Sequence, residues 1–279
     1  MKMKNFLAGA LCLFGWQGAF ALQNDIPSCY EAIKMELPIP APKRSVLILL
    51  DETTVFGDKL QQSILQSSLP AITPGTMLTV VRFSAFAQQK YTSVVMHGLL
   101  EETVPGSARD SISVRKLNAF DECMQGQLSY GVGNARKLMQ QTMATATSNL
   151  QKSDVIGSLK SASDILRASP TKDRVIVMVS DMLENSSISS FYANSGVRQL
   201  DPAAELAKVQ KSEMLGDFGG ARVYVMGAGT IPEDGKNAKG IYRDPKTMQS
   251  LQKFWAGYIE KSGGILVEFG QPELLSPIR

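Results

Sequence analysis

Ser45-Val46-Leu47-Ile48-Leu49-Leu50-Asp51-Glu52-Thr53-Thr54-Val55 is an apolar run that discharges into an acidic, hydroxyl-rich turn. A run of this length and content reads as a strand buried on both faces. Gly57-Asp58 and a helical pattern follow it, so Asp51 falls at the strand's carboxyl end. In open α/β sheets that is the end where ligands bind. A carboxylate there is costly to desolvate unless it is paired, hydrogen-bonded or holding a cation, so Asp51 calls for a partner.

Outward from this stretch the chain alternates strands with helices. Leu60, Ile64, Leu65 and Leu69 recur at helical spacing and Pro70 stops the helix. Thr76 to Phe83 is a second buried strand. Lys90 to Leu100 is rich in β-formers and is expected as a third strand, antiparallel and at an edge. Residues 101–130 are mixed in character and read as an insertion. Helical periodicity returns at Ala135 and continues to Leu150, and a further helix follows with Ser153 at its start and Ile156, Leu159, Ala162, Ile165 and Leu166 on one face. Arg174 to Val179 is the most strand-like run and empties into Ser180-Asp181. A Ser- and Asn-rich loop, Glu184 to Arg198, leads to a helix with Asp201 as N-cap and Pro202 at its first position. Ala221 to Met226 is a strand closing on Gly227-Ala228-Gly229. Asp244-Pro245 opens a helix with Met248, Leu251, Phe254, Trp255, Tyr258 and Ile259 on its apolar face, and Ile265 to Phe269 is the last strand. This rhythm predicts an α/β fold: a doubly wound, mostly parallel sheet with helices on both faces and one antiparallel edge strand. The domain is expected over residues 44–270, with a tail over 271–279.

The first 21 residues stand apart. Lys2 and Lys4, an apolar stretch from Phe6 to Phe14, and Ala19-Phe20-Ala21 have the three parts of a secretory signal peptide, cleaved near Ala21. The protein is therefore expected to be periplasmic or secreted, with no membrane span once the signal is removed. Cleavage takes Lys2 and Lys4 and no acid, leaving 27 basic against 26 acidic residues. Nothing in that balance favours nucleic acid. Cleavage also takes Cys12, leaving Cys29 and Cys123 to form one disulfide in an oxidising compartment. The bond would tie down residues 22–43, a Pro-rich strap around a short helix-like Cys29 to Met35.

Two buried strands thus end in an acid, Asp51 and Asp181, and the hydroxyls of Thr53, Thr54, Ser153 and Ser180 are candidates to lie nearby. Two carboxylates, a few hydroxyls and water suit Mg²⁺ or Mn²⁺. The alternative is that both acids simply cap the adjoining turns.

These residues resemble the von Willebrand factor A (vWA) family, which carries an Asp-x-Ser-x-Ser turn after its first strand, a Thr before a middle helix and an Asp after the following strand. Asp51 and Thr53 match the first two ligands, Ser153 resembles the Thr, and Asp181 in Val-Met-Val-Ser-Asp-Met matches the last, with Met182 where the family has Gly. Val55 stands at the third position of the turn and cannot ligate. The resemblance runs from about Arg44 to about Gly270. It implies a non-enzymatic binding module for another envelope or secreted protein, with Asp51, Thr53, Ser153 and Asp181 as a degenerate divalent-metal site.

The same turn is similar to the Asp-x-Asp-x-Val of haloacid-dehalogenase-like phosphatases, which would make Asp51 a nucleophile in a Mg²⁺-dependent reaction. Thr53 replaces the second acid, however, and a nucleophile without its proton-transfer partner loses on the order of 10² to 10⁴ in rate. His97, the one His, falls inside a predicted strand and reads as structural. Phe254, Trp255 and Tyr258 read as core, and Gly227-Ala228-Gly229 as a tight strand exit.

Overall fold

β1 (Arg44–Asp51) takes a central place in a six-stranded sheet. The fold is described by a computed structural model over residues 23–84, 92–147, 153–193, 196–230 and 244–279; the expected signal peptide lies outside the described residues. β1 pairs in parallel with β2 (Thr76–Phe83) on one side and β4 (Asp173–Val179) on the other. β3 (Thr92–Leu100) runs antiparallel to β2, and β7 (Arg222–Met226) and β8 (Ile265–Phe269) continue the parallel part, giving the order β3-β2-β1-β4-β7-β8. This is the doubly wound architecture with one antiparallel edge strand. The order reverses between β1 and β4, where such sheets open a crevice at the strands' carboxyl ends.

Strand alternation explains why β1 is apolar at every interior position. Leu47 and Leu49 face one core with Val81, Phe83, Ile176 and Met178. That core is closed by α5 (Val155–Ala168) and α7 (Pro245–Lys261), which bring Leu159, Phe254, Trp255 and Tyr258, with α6 (Pro202–Lys211) adding Val209. Val46, Ile48 and Leu50 face the other core with Val80 and Val177, under α2 (Asp58–Ser68) and the long α4 (Val114–Thr145). Each layer buries its apolar stripe against the sheet, and burial is the main source of stability.

Helix starts follow local chemistry. Asp201 accepts from Ala203 N and Ala204 N, both at 3.1 Å, and Asp244 accepts from Thr247 N at 3.0 Å, so both expected N-caps are in place. The cap of α5 differs: Asp154 accepts from Gly157 N at 2.8 Å, while Ser153 is drawn into a bridge with Asn185. The loop from Glu184 to Arg198 holds a small hairpin, β5 (Tyr192–Ala193) with β6 (Gly196–Val197). The tail packs rather than trails, with Leu274 and Ile278 buried and Ile278 N donating to Ser67 O at 2.9 Å.

The leader closes one sheet edge. Asp25 N donates to His97 O at 2.7 Å, His97 N to Asp25 Oδ2 at 2.8 Å, and Leu99 N to Asn24 Oδ1 at 3.3 Å. These bonds occupy backbone groups that would otherwise invite another strand. Gly98 is required there, because a Cβ would lie 2.5 Å from Asn24 Oδ1 and 2.7 Å from Ile26 Cγ1. The Cys29–Cys123 disulfide forms, with Cα atoms 5.7 Å apart. Beside it, Glu101 accepts from Ser28 Oγ, Cys29 N and Tyr30 N, at the start of the one-turn α1 (Cys29–Ala32). Gln127 locks the two together by donating from Nε2 to Pro27 O at 2.8 Å and accepting from Glu101 N at the same distance.

Residues 101–130, read as mixed in character, are largely helical. They hold the single turn α3 (Gly106–Arg109) and the first half of α4. The two cysteines therefore sit on helices. The apolar period is concealed there because α4 packs on the leader and β3 through Phe120, Gln127 and Gly131, so a polar residue and a glycine occupy core positions. Among the described residues no helix is long and apolar enough to cross a membrane. The disulfide points to an oxidising compartment.

Candidate functional site

In-register pairing of β1 and β4 sets the site. Leu50 is level with Val179, so Asp51 and Ser180-Asp181 leave neighbouring strands side by side. Asp51 is only 3% exposed, and its carboxylate is heavily solvated by the protein. Oδ1 accepts from Thr53 N at 2.8 Å and Thr53 Oγ1 at 2.6 Å. Oδ2 accepts from Ser180 Oγ at 2.6 Å, Thr54 Oγ1 at 3.1 Å and Ser153 Oγ at 3.5 Å. All four expected hydroxyls therefore converge on Asp51. Val55 is 36% exposed and brings no oxygen; Thr54 and Ser180 supply the extra hydroxyls.

Asp181 is less well served. Its Oδ1 accepts from Leu183 N at 2.9 Å, and its N–H donates to Thr54 Oγ1 at 3.3 Å. Burial pushes its carboxyl well above the usual range, and the negative charge of Asp51 pushes it further. Asp51 is also raised, by burial, with the Ser180, Thr53 and Thr54 bonds pulling it back. Among the described residues no cationic side chain forms an ion pair with either acid. The Tyr192 phenol, on the hairpin, is pushed up by burial and then by the charges of Asp181 and Asp51. Tyr192 itself is 41% exposed, which makes it a rim residue near both acids.

The turn after Asp181 is fixed from two sides. Ser180 Oγ accepts from Met182 N at 3.0 Å while donating to Asp51, and Trp255 Nε1 donates to Met182 O at 2.9 Å. Met182 has φ of 64°, a left-handed conformation that glycine adopts without cost. Gly227, with φ of 95°, closes the neighbouring strand; a Cβ there would sit 2.5 Å from Phe56 Cε1.

Glu184 was not distinguishable in the sequence from the start of a polar loop, yet its side chain is fully buried. Its Oε2 accepts from Ile156 N at 2.9 Å in the first turn of α5, and its Oε1 has no partner among the described residues. Burial, reinforced by the charge of Asp154, raises its carboxyl to about 8. Its backbone carbonyl accepts from Phe191 N at 2.8 Å, and the adjacent Asn185 N donates to Ser153 O, also at 2.8 Å. Glu184 thus joins the start of α5 to the loop that carries Tyr192.

The remaining candidates are structural. His97 shares a hydrogen bond of 2.9 Å between its Nδ1 and Thr79 Oγ1 on the neighbouring strand, and Phe254, Trp255 and Tyr258 are core.

The oxygen set of Asp51, Asp181, Thr53, Thr54, Ser153 and Ser180 fits a hard divalent cation: the site is acidic, Asp51 is buried, and among the described residues no cationic side chain pairs with either acid. Among the described residues no group of three or more His, Cys, Asp or Glu could hold a metal, so a metal here would depend on hydroxyls and water beside two carboxylates. The chain matches no protein-family model and no curated protein.

Proposed function

We propose that the chain is a vWA-like binding module, secreted or periplasmic after loss of a signal peptide over residues 1–21. In this reading it holds another envelope or secreted protein at the carboxyl rim of the sheet. One observation carries the reading: Asp51, buried, and Asp181, half-buried, are neighbouring acids, both raised, with hydroxyls around Asp51 and no ion pair to either among the described residues. Asp51, Thr53, Ser153 and Asp181 would hold Mg²⁺ or Mn²⁺, with water in the place that Val55 leaves. A bound divalent ion would supply positive charge and open coordination positions facing the partner. The left-handed Met182, at the position where the family has Gly, adds support. Strand order and the antiparallel edge agree with the same reading but are shared by other doubly wound proteins.

The phosphatase alternative fits less well. That reaction calls for a second acid two residues after the nucleophile to handle the proton, and the residue there is Thr53, whose hydroxyl donates to Asp51 Oδ1 at 2.6 Å. Assay of a generic phosphate ester with Mg²⁺ separates the two readings. The binding module gives no turnover above background; hydrolysis that disappears in Asp51→Asn would replace it with the enzyme.

A further inference from the structure

Helix α4 is 32 residues long, and one side of it is unused by the fold. Phe120, Gln127, Gly131, Ala135, Met139 and Thr142 are buried. The opposite side carries exposed Ala119, Glu122, Gly126, Tyr130, Gly133 and Lys137, spaced by three or four residues so that they fall in line. Two features of that face bear on what could cover it. Glycine weakens a helix, yet a Cβ on Gly126 or Gly133 would meet nothing within 4 Å. And Glu122, Arg136 and Lys137 take part in none of the ion pairs among the described residues.

Charge selects the partner. Laid antiparallel on itself, with a two-fold axis between Ser129 and Tyr130, the helix brings Glu122 of each copy level with Lys137 of the other, and close to Arg136. The same axis sets Gly126 level with Gly133. A two-fold contact must be self-complementary, and this spacing satisfies the condition twice in one interface. A parallel pairing would instead oppose Glu122 to Glu122 and Lys137 to Lys137.

We infer that this face of α4 docks a second copy of the chain, antiparallel, with reciprocal Glu122–Lys137 pairs. The open backbone at the two glycines lets the helices approach toward the lower end of the usual spacing of about 8–10 Å, and Tyr130 covers the seam. The contact spans roughly 30 Å of helix. It does not depend on the reading of the acidic site.

Sedimentation equilibrium of the full chain, purified with its disulfide intact, tests the inference. Wild type is expected to show a reversible monomer–dimer equilibrium. Glu122→Lys and Lys137→Glu should each weaken it at least about tenfold, and the double reversal should restore it. Both positions are exposed and make no ion pair among the described residues, and unchanged circular dichroism checks the fold. Gly126→Gln should weaken the dimer while raising the melting temperature of the dilute monomer. A wild type that stays monomeric at every concentration, a dimer indifferent to both single reversals, or single losses without rescue in the double variant would each overturn it.

Discussion

Ser180 Oγ donates to Asp51 Oδ2 at 2.6 Å and accepts from Met182 N at 3.0 Å, so a single hydroxyl links the turn after β1 to the turn after β4. In-register pairing brings the two acids side by side, and this hydroxyl, fully buried with both of its partners there, ties together the turns that carry them.

Ser180→Ala is therefore expected to cost about 1–3 kcal/mol, the range for leaving a buried group unsatisfied. It should also push Asp51 further up, because the Ser180 bond is the first of those that lower it. Thr53→Ala should cost less, since Thr53 N still donates to Oδ1. Urea unfolding of the two variants beside wild type gives the comparison.

The pH dependence has a definite sign. The Glu184 carboxyl is raised from 4.5 to about 8, so between those values the folded chain binds more protons than the unfolded one. Stability then falls as pH rises through that window; Asp51 and Asp181, both raised, act in the same direction. Asp121, Asp173 and Glu205 are lowered, and their contribution is lost instead at acid pH. Glu184→Gln, which keeps an oxygen for Ile156 N, should flatten the loss between pH 5 and 8 by an amount on the order of a few kcal/mol. Chemical denaturation of wild type and variant at several pH values reads this directly, and parallel slopes would refute it.

Much of this arrangement was legible in the residues, and the rest was hidden for physical reasons. β1 and β4 announce themselves because strands covered on both faces must be apolar throughout, and the acids that end them could be placed at one rim. The competition between Ser153 and Asp154 for the cap of α5 was not legible. Both are good caps, and the choice is made by the bridge from Ser153 to Asn185, a contact distant in sequence. The first half of α4 was missed because its inner positions include Gln127 and Gly131, which satisfy the leader and β3 rather than an apolar core. Glu184 gave no signal, since a Glu beside Asn and Ser reads as solvent-facing until α5 is packed over it.

The disulfide prediction concerns the unfolded chain. Cys29 and Cys123 are 94 residues apart, for which the loop-closure estimate is on the order of 4–5 kcal/mol. A Cys29→Ser, Cys123→Ser variant should lose a large part of that. It should also be cut faster by protease in the leader, which would keep only its hydrogen bonds and packing against Glu101, Gln127 and β3. Mass measurement after alkylation without reductant should find neither thiol of the folded chain labelled.

The central claim is that Asp51 and Asp181 form a cation site, and a thermal melt against Mg²⁺ and Mn²⁺ tests it most directly. An ion that binds only the folded chain stabilises it by RT ln(1 + [L]/Kd). Because Val55 withholds one oxygen, the expected rise in melting temperature is small and needs millimolar ion. Val55→Ser should respond at lower concentration. Asp181→Asn should lose the response while melting higher than wild type in chelator, because the repulsion with Asp51 is gone. A wild type and a Val55→Ser variant equally indifferent to both ions would contradict the claim.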